Sequence, residues 1–154
     1  MEEIVNAFYH VFKDELVALV LYGSYARGEQ KKSSDIDLLV ILKKIDDRYE
    51  VFKKFIQVEK ILEQSFYKKL REKGFDPYIS PVFLDVENAT KFRPLYIDIV
   101  FDAKILYDKD NIMKETFERV KKRLEELGAK RIKYGNSHYV IINNFKPGQV
   151  IKYE

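Results

Sequence analysis

Cysteine is absent from the 154 residues, which excludes disulfides, thiolate metal centres and cysteine nucleophiles. No apolar run approaches the roughly 20 residues that a membrane-spanning helix needs. The opening Met1-Glu2-Glu3 lacks the basic-then-apolar order of a signal peptide, so a cytoplasmic protein is expected. Net charge is also small, only +3 from 28 Lys and Arg against 25 Asp and Glu, and so points to no partner. It is unevenly spread: between Arg119 and Lys133 seven Lys and Arg face only Glu125 and Glu126. That stretch reads either as the solvated face of a helix and its exit loop or as a weak nucleic-acid contact over 119–133. With 46% hydrophobic and 34% charged residues, the composition is globular and suits one domain over 1–154.

Periodicity alternates between helix and strand along the chain. Ile4, Val5, Phe8, Tyr9 and Phe12 make one stripe of a helix over 3–14. Leu16 to Tyr22 is a short Val- and Leu-rich run, long enough for a buried strand, and Asp35 to Leu42 is a second. A single long helix is expected from about Asp46 to Lys73, stopped by Gly74. Tyr78 to Leu84 reads as a third strand, placed at a sheet edge by Pro81. Asp85 is positioned to cap a helix over 86–103, Lys104 to Tyr107 is a short strand, and Asp110 is expected to cap a last helix ending at Gly128. The tail holds Gly135, an apolar run from Tyr139 to Ile142 and a Pro147-Gly148 turn. Strands interleaved with helices predict an α/β fold, a small mixed sheet packed against helices, followed by a short helical extension and tail.

The chemistry concentrates in two segments, Tyr22-Gly23-Ser24-Tyr25-Ala26-Arg27-Gly28 and Ser34-Asp35-Ile36-Asp37-Leu38. Asp35 and Asp37 lie two residues apart, so on a strand both carboxylates leave the same face. Brought together there they repel unless a cation or proton stands between them. Magnesium suits such oxygen ligands and completes its shell with waters and phosphates. Gly23 removes side-chain bulk directly after a strand, Ser24 adds a hydroxyl to the same turn, and Arg27 adds positive charge nearby. A Gly-Ser pair alone is most often a turn, and an Asp-x-Asp alone most often a cap or a solvated pair; the two together at this offset are far more specific.

These residues resemble the signature of the DNA polymerase beta nucleotidyltransferase superfamily, and within it the minimal nucleotidyltransferase branch. That pattern reads Gly-Ser-x-Ala-Arg-Gly, then Ser-Asp-Ile-Asp-Leu. The resemblance implies a nucleotidyltransferase fold with its core over about 15–107 and the helix and tail over 108–154. It implies that Gly23, Ser24, Arg27 and Ser34 bind ATP, and that Asp35 and Asp37 are catalytic ligands of Mg2+ or Mn2+. The implied reaction moves a nucleoside monophosphate, AMP from ATP, to a hydroxyl, with a tyrosine of a HEPN-type partner as the acceptor.

One position departs from the pattern. Aligning the strand after the long helix by its apolar residues puts Ser80 where the family has a third acid. Asp98, within Leu95-Tyr96-Ile97-Asp98-Ile99-Val100, is the substitute candidate, although a helical reading places it outside the buried face. The missing acid keeps a non-catalytic nucleotide-binding module open beside the transferase, and the basic 119–133 segment keeps RNA binding open.

Overall fold

The computed structural model describes residues 1–135, 137–143 and 150, so the Pro147-Gly148 turn lies outside the described residues. Helix α1, Glu2–Phe12, buries Ile4, Ala7, Phe8 and Phe12 and carries Glu2 and Glu3 in its first turn, where negative charge complements the helix dipole. Strand β1, Leu16–Tyr22, is buried almost throughout. Helix α2, Gly23–Arg27, follows without a loop, and β2 occupies Ile36–Leu42.

A four-stranded sheet forms in the order β3-β2-β1-β4, with β3 at Ile79–Asp85 and β4 at Lys104–Asp108. β2 and β3 run parallel, while β1 is antiparallel to both β2 and β4. Helices cover both faces of the central strands, which explains why β1 and β2 read as nearly unbroken apolar runs. On one face Leu19, Leu21, Leu38 and Val40 pack with Phe8 and Phe12 of α1 and Phe55, Val58 and Leu62. On the other, Val20, Leu39 and Ile41 pack with Tyr96, Phe117 and Leu124. β3 is an edge strand, the expected place for Pro81 and its missing donor.

Two long helices expected from periodicity are each broken. The first divides at Ser65 into α3, Arg48–Gln64, and α4, Phe66–Glu72. Ser65 leaves helical geometry at φ −133° and ψ −60°, and α4 restarts with Phe66 and Tyr67, both buried. Tyr67 also donates to Glu59 Oε1 at 2.8 Å, tying α4 back onto α3. The second divides into α5, Val86–Ala89, and α6, Pro94–Ile99. Pro94 forces Arg93 into an extended conformation, and the fully buried Tyr96 reaches back to donate to the Ala89 carbonyl at 2.7 Å. Asp85 does cap α5, accepting from the Asn88 N–H.

The last helix, α7, spans Ile112–Glu126. Its cap is Asp108 rather than Asp110: the Asp108 carboxylate accepts from the N–H groups of Met113 and Lys114 at 3.0 and 2.8 Å. The tail then forms a hairpin, β5 at Ala129–Tyr134 antiparallel to β6 at Ser137–Ile142. Among the described residues no helix is long and apolar enough to cross a membrane.

Candidate active site

The sheet sets Tyr22, Asp37 and Ser80 side by side on three strands. Asp37 is the antiparallel partner of Tyr22 and the parallel partner of Ser80. Asp37 alternates with the inward Ile36 and Leu38 and so leaves the sheet on the Leu39 and Ile41 face. Asp35 stands one residue before β2 and is exposed, while the neighbouring Ile36 N–H donates to the Tyr78 carbonyl at 2.8 Å and fixes the strand's start.

Gly23 is demanded by Asp37. A Cβ on Gly23 would fall 2.2 Å from Asp37 Oδ2 and 3.1 Å from its Cγ, far inside van der Waals contact. The residue also has φ +70°, a conformation that costs any L side chain. The carboxylate therefore rests in the space that glycine leaves open. Burial and then the charge of Asp35 raise the Asp37 carboxyl above its ordinary range, with Arg27 acting in the opposite sense. Burial followed by Asp37 raises the Tyr22 hydroxyl, and burial followed by Asp35 raises that of Tyr25. Burial is the larger cause at all three groups, with the charges of Asp35 and Asp37 adding to it.

Next to it, a cavity of about 310 Å³ is lined by Ser24, Arg27, Glu29, Lys31, Ser34 and Lys133. Three of the nucleotide-binding residues expected from sequence, Ser24, Arg27 and Ser34, thus meet on one wall. The chain places Gly23 directly before Ser24 and Asp35 directly after Ser34. Ser34 shapes its loop by accepting from the Lys31 N–H at 2.8 Å. Arg27 is oriented by Glu29, with Nε 2.9 Å from Oε2, and its Nη1 is 3.6 Å from Asp102.

Sequence reasoning missed Glu29, Lys31 and Lys133. Lys31 carries a signal in its position between the two motifs. Lys133 carries none, being 104 residues from the Glu29 it contacts. Four cations of the 119–133 segment are engaged within the chain: Arg119 with the Thr90 carbonyl, Arg123 with Glu126, Arg131 with Asp102 and Lys133 with Glu29.

Asp98 lies exposed on α6, and among the described residues no three acidic or histidine side chains converge as a metal cage. The β3 residue in register with Asp37 is Ser80. Because Ser80 is exposed on an edge strand, Ser80→Asp is expected to fold normally and to tighten Mn2+ binding about tenfold by adding a charged ligand. Asp98→Asn is expected to leave Mn2+ affinity within about twofold of wild type on the same scale. Manganese titration followed by electron paramagnetic resonance checks both, and a large loss in Asp98→Asn would return Asp98 to the metal site.

The profile of the nucleotidyltransferase domain family matches residues 1–122. A Methanocaldococcus jannaschii protein provisionally named a protein adenylyltransferase is 32% identical over 123 residues, 79% of this chain and 78% of that protein. A second protein of that organism with the same provisional name is 30% identical over 82 residues, 53% of this chain and 73% of its own length. Among solved structures, a chain from a toxin-antitoxin crystal structure with AMP-PNP superposes with a TM-score of 0.47 at 17% identity, covering 83% of this chain and 94% of that one; so distant a likeness carries no weight for activity. The match across residues 1–122, joined to the 32% identity with a relative of similar extent, shows that this chain belongs to the nucleotidyltransferase domain family.

Proposed function

We propose that the chain transfers AMP from ATP to a hydroxyl of another protein, with a tyrosine of a HEPN-type partner as the acceptor. The observation that carries this reading is the packing of Asp37 into the space left by Gly23, beside a cavity whose wall includes Ser24, Arg27 and Ser34. The provisional name of the 32% identical relative supports a protein acceptor, and the Gly-Ser-x-Ala-Arg-Gly and Ser-Asp-Ile-Asp-Leu motifs supply the resemblance to antitoxins that modify HEPN proteins.

Arg27, Ser24 and Ser34 bind and orient the triphosphate through charge-assisted and hydroxyl hydrogen bonds. Asp35 and Asp37 fit a magnesium ion: both offer hard oxygen atoms, and burial together with the charge of Asp35 disfavours an uncompensated Asp37 carboxylate. When bound, the ion polarises phosphate oxygens and offsets negative charge in the transition state. A bond forms between the acceptor oxygen and the α-phosphorus, the bond from that phosphorus to pyrophosphate breaks, and the acceptor proton leaves to solvent. The residues gain rate chiefly by holding the α-phosphate in line with the incoming hydroxyl.

Incubating the protein with Mg2+, ATP and a HEPN-type protein is expected to add one adenylate to that protein, read by intact-protein mass spectrometry. Tight ATP binding with no modified partner would instead support a regulatory nucleotide-binding module.

A further inference from the structure

We infer that Lys133, on the C-terminal hairpin, is a phosphate-binding residue of the nucleotide cavity, parked on Glu29 until a triphosphate takes its place. The inference rests on the nucleotide reading of that cavity and extends it to a part of the chain beyond the family match, which ends at residue 122.

The hairpin presents two unlike rows of side chains. Arg131, His138 and Val140 are partly buried, whereas Lys130, Ile132, Tyr134, Tyr139 and Ile141 face outward. Lys133 belongs to the inward row, paired in register with His138. Arg131 anchors that row through Asp102 at 2.6 Å, the same carboxylate oxygen that Arg27 approaches at 3.6 Å. The hairpin is thereby fastened beside the α2 loop, and Lys133 becomes part of the cavity wall with Ser24, Arg27, Lys31 and Ser34.

The lining of the cavity holds more cations than carboxylates. Three cations, Arg27, Lys31 and Lys133, line the cavity against one carboxylate, Glu29. Glu29 serves two of them at once, with Lys133 Nζ 2.5 Å from Oε1 and Arg27 Nε 2.9 Å from Oε2. The Lys133 side chain keeps 53% of its exposure in this pair, and so exposed a pair contributes little to stability. Exchanging Glu29 for phosphate oxygen consequently costs little and gains a bond to a more highly charged acceptor. A purely structural role would make Lys133 a strut for the hairpin, indifferent to what fills the cavity.

Calorimetric titration separates these roles by comparing ATP with adenosine, both in the presence of Mg2+. Lys133→Ala is expected to weaken ATP about tenfold, the size of one charge-assisted hydrogen bond, and to leave adenosine unchanged. Lys133→Arg is expected to restore ATP to within about threefold of wild type, and Lys130→Ala, on the outward row of the same strand, to match wild type. Wild-type ATP affinity in Lys133→Ala would overturn the inference while leaving the nucleotide site standing, and so would an equal loss for ATP and adenosine. Failure of the wild-type protein itself to bind ATP would overturn the site reading and this inference together.

Discussion

Gly23→Ala is expected to lower nucleotidyl transfer at least about 100-fold, since a misplacement near 1 Å at a reacting centre costs that much, and to cost about 2 kcal/mol of stability. The two effects have separate causes. The methyl group would overlap Asp37 Oδ2, at 2.2 Å, so the carboxylate must rotate out of the space that glycine leaves open. The left-handed backbone at φ +70° adds strain of about 1–2 kcal/mol for any L residue. Gly28 provides the control: it shares the left-handed conformation at φ +72°, yet a Cβ there meets nothing within 4 Å. Gly28→Ala should therefore lose comparable backbone stability and retain most activity. Urea unfolding together with initial transfer rates checks both variants. Undiminished Mg-ATP affinity in Gly23→Ala would show that Asp37 is not the carboxylate on which the metal depends.

Asp37→Asn should act in opposite directions on function and on stability. Transfer is expected to fall about 1,000-fold, the scale on which a group acting in the transition state is lost, because an amide retains the shape and discards the charge. Without ligands the same variant should melt at a higher temperature than wild type. Burial first, and then the neighbouring Asp35, oppose the charge of wild-type Asp37 and raise its carboxyl above the ordinary value of 3.8. A raised carboxyl binds its proton more readily in the folded protein, so the destabilisation is greatest above the folded pKa and fades as pH falls through it toward 3.8. The gap in melting temperature between wild type and Asp37→Asn should accordingly close on acidification. Saturating Mg-ATP should stabilise wild type at neutral pH and leave the variant nearly unmoved. A variant that melts below wild type at neutral pH would contradict this account.

The parts of the molecule legible in sequence are those dictated by neighbours along the chain. β1 and β2 announce themselves because both faces of each are buried, and the Gly23-Ser24 and Asp35-Asp37 pairs are set by turn and strand geometry within a few residues. The break at Ser65 was hidden because α3 and α4 share one apolar periodicity, and no glycine or proline stands at the point where the backbone leaves helical geometry. The break before α6 was visible: Pro94 restricts Arg93, and the apolar stripe of residues 86–103 obscured that signal. The Asp108 cap lay beyond reach because it spans five and six residues to its donors rather than the usual two or three. Lys133 reaches the cavity only through the docking of a hairpin, which no local pattern encodes.

The placement of the two carboxylates at the start of β2 has a consequence for motion on the scale of minutes to hours. β2 lies between two other strands and under helices on both faces, so its amide hydrogens exchange with solvent only when the whole domain unfolds. β5 is the opposite case, with one neighbour and mostly exposed side chains, and its amides exchange through local opening at much smaller free energy. The cavity thus joins Ser34, in the loop that leads into β2, to Lys133 on the more readily opened β5. A ligand that touches both walls must hold the hairpin closed, and its apparent affinity is scaled by the fraction of molecules in which the hairpin is already docked. Deuterium uptake in β5 becomes a direct gauge of occupancy, while uptake in β2 stays silent until the fold itself is lost.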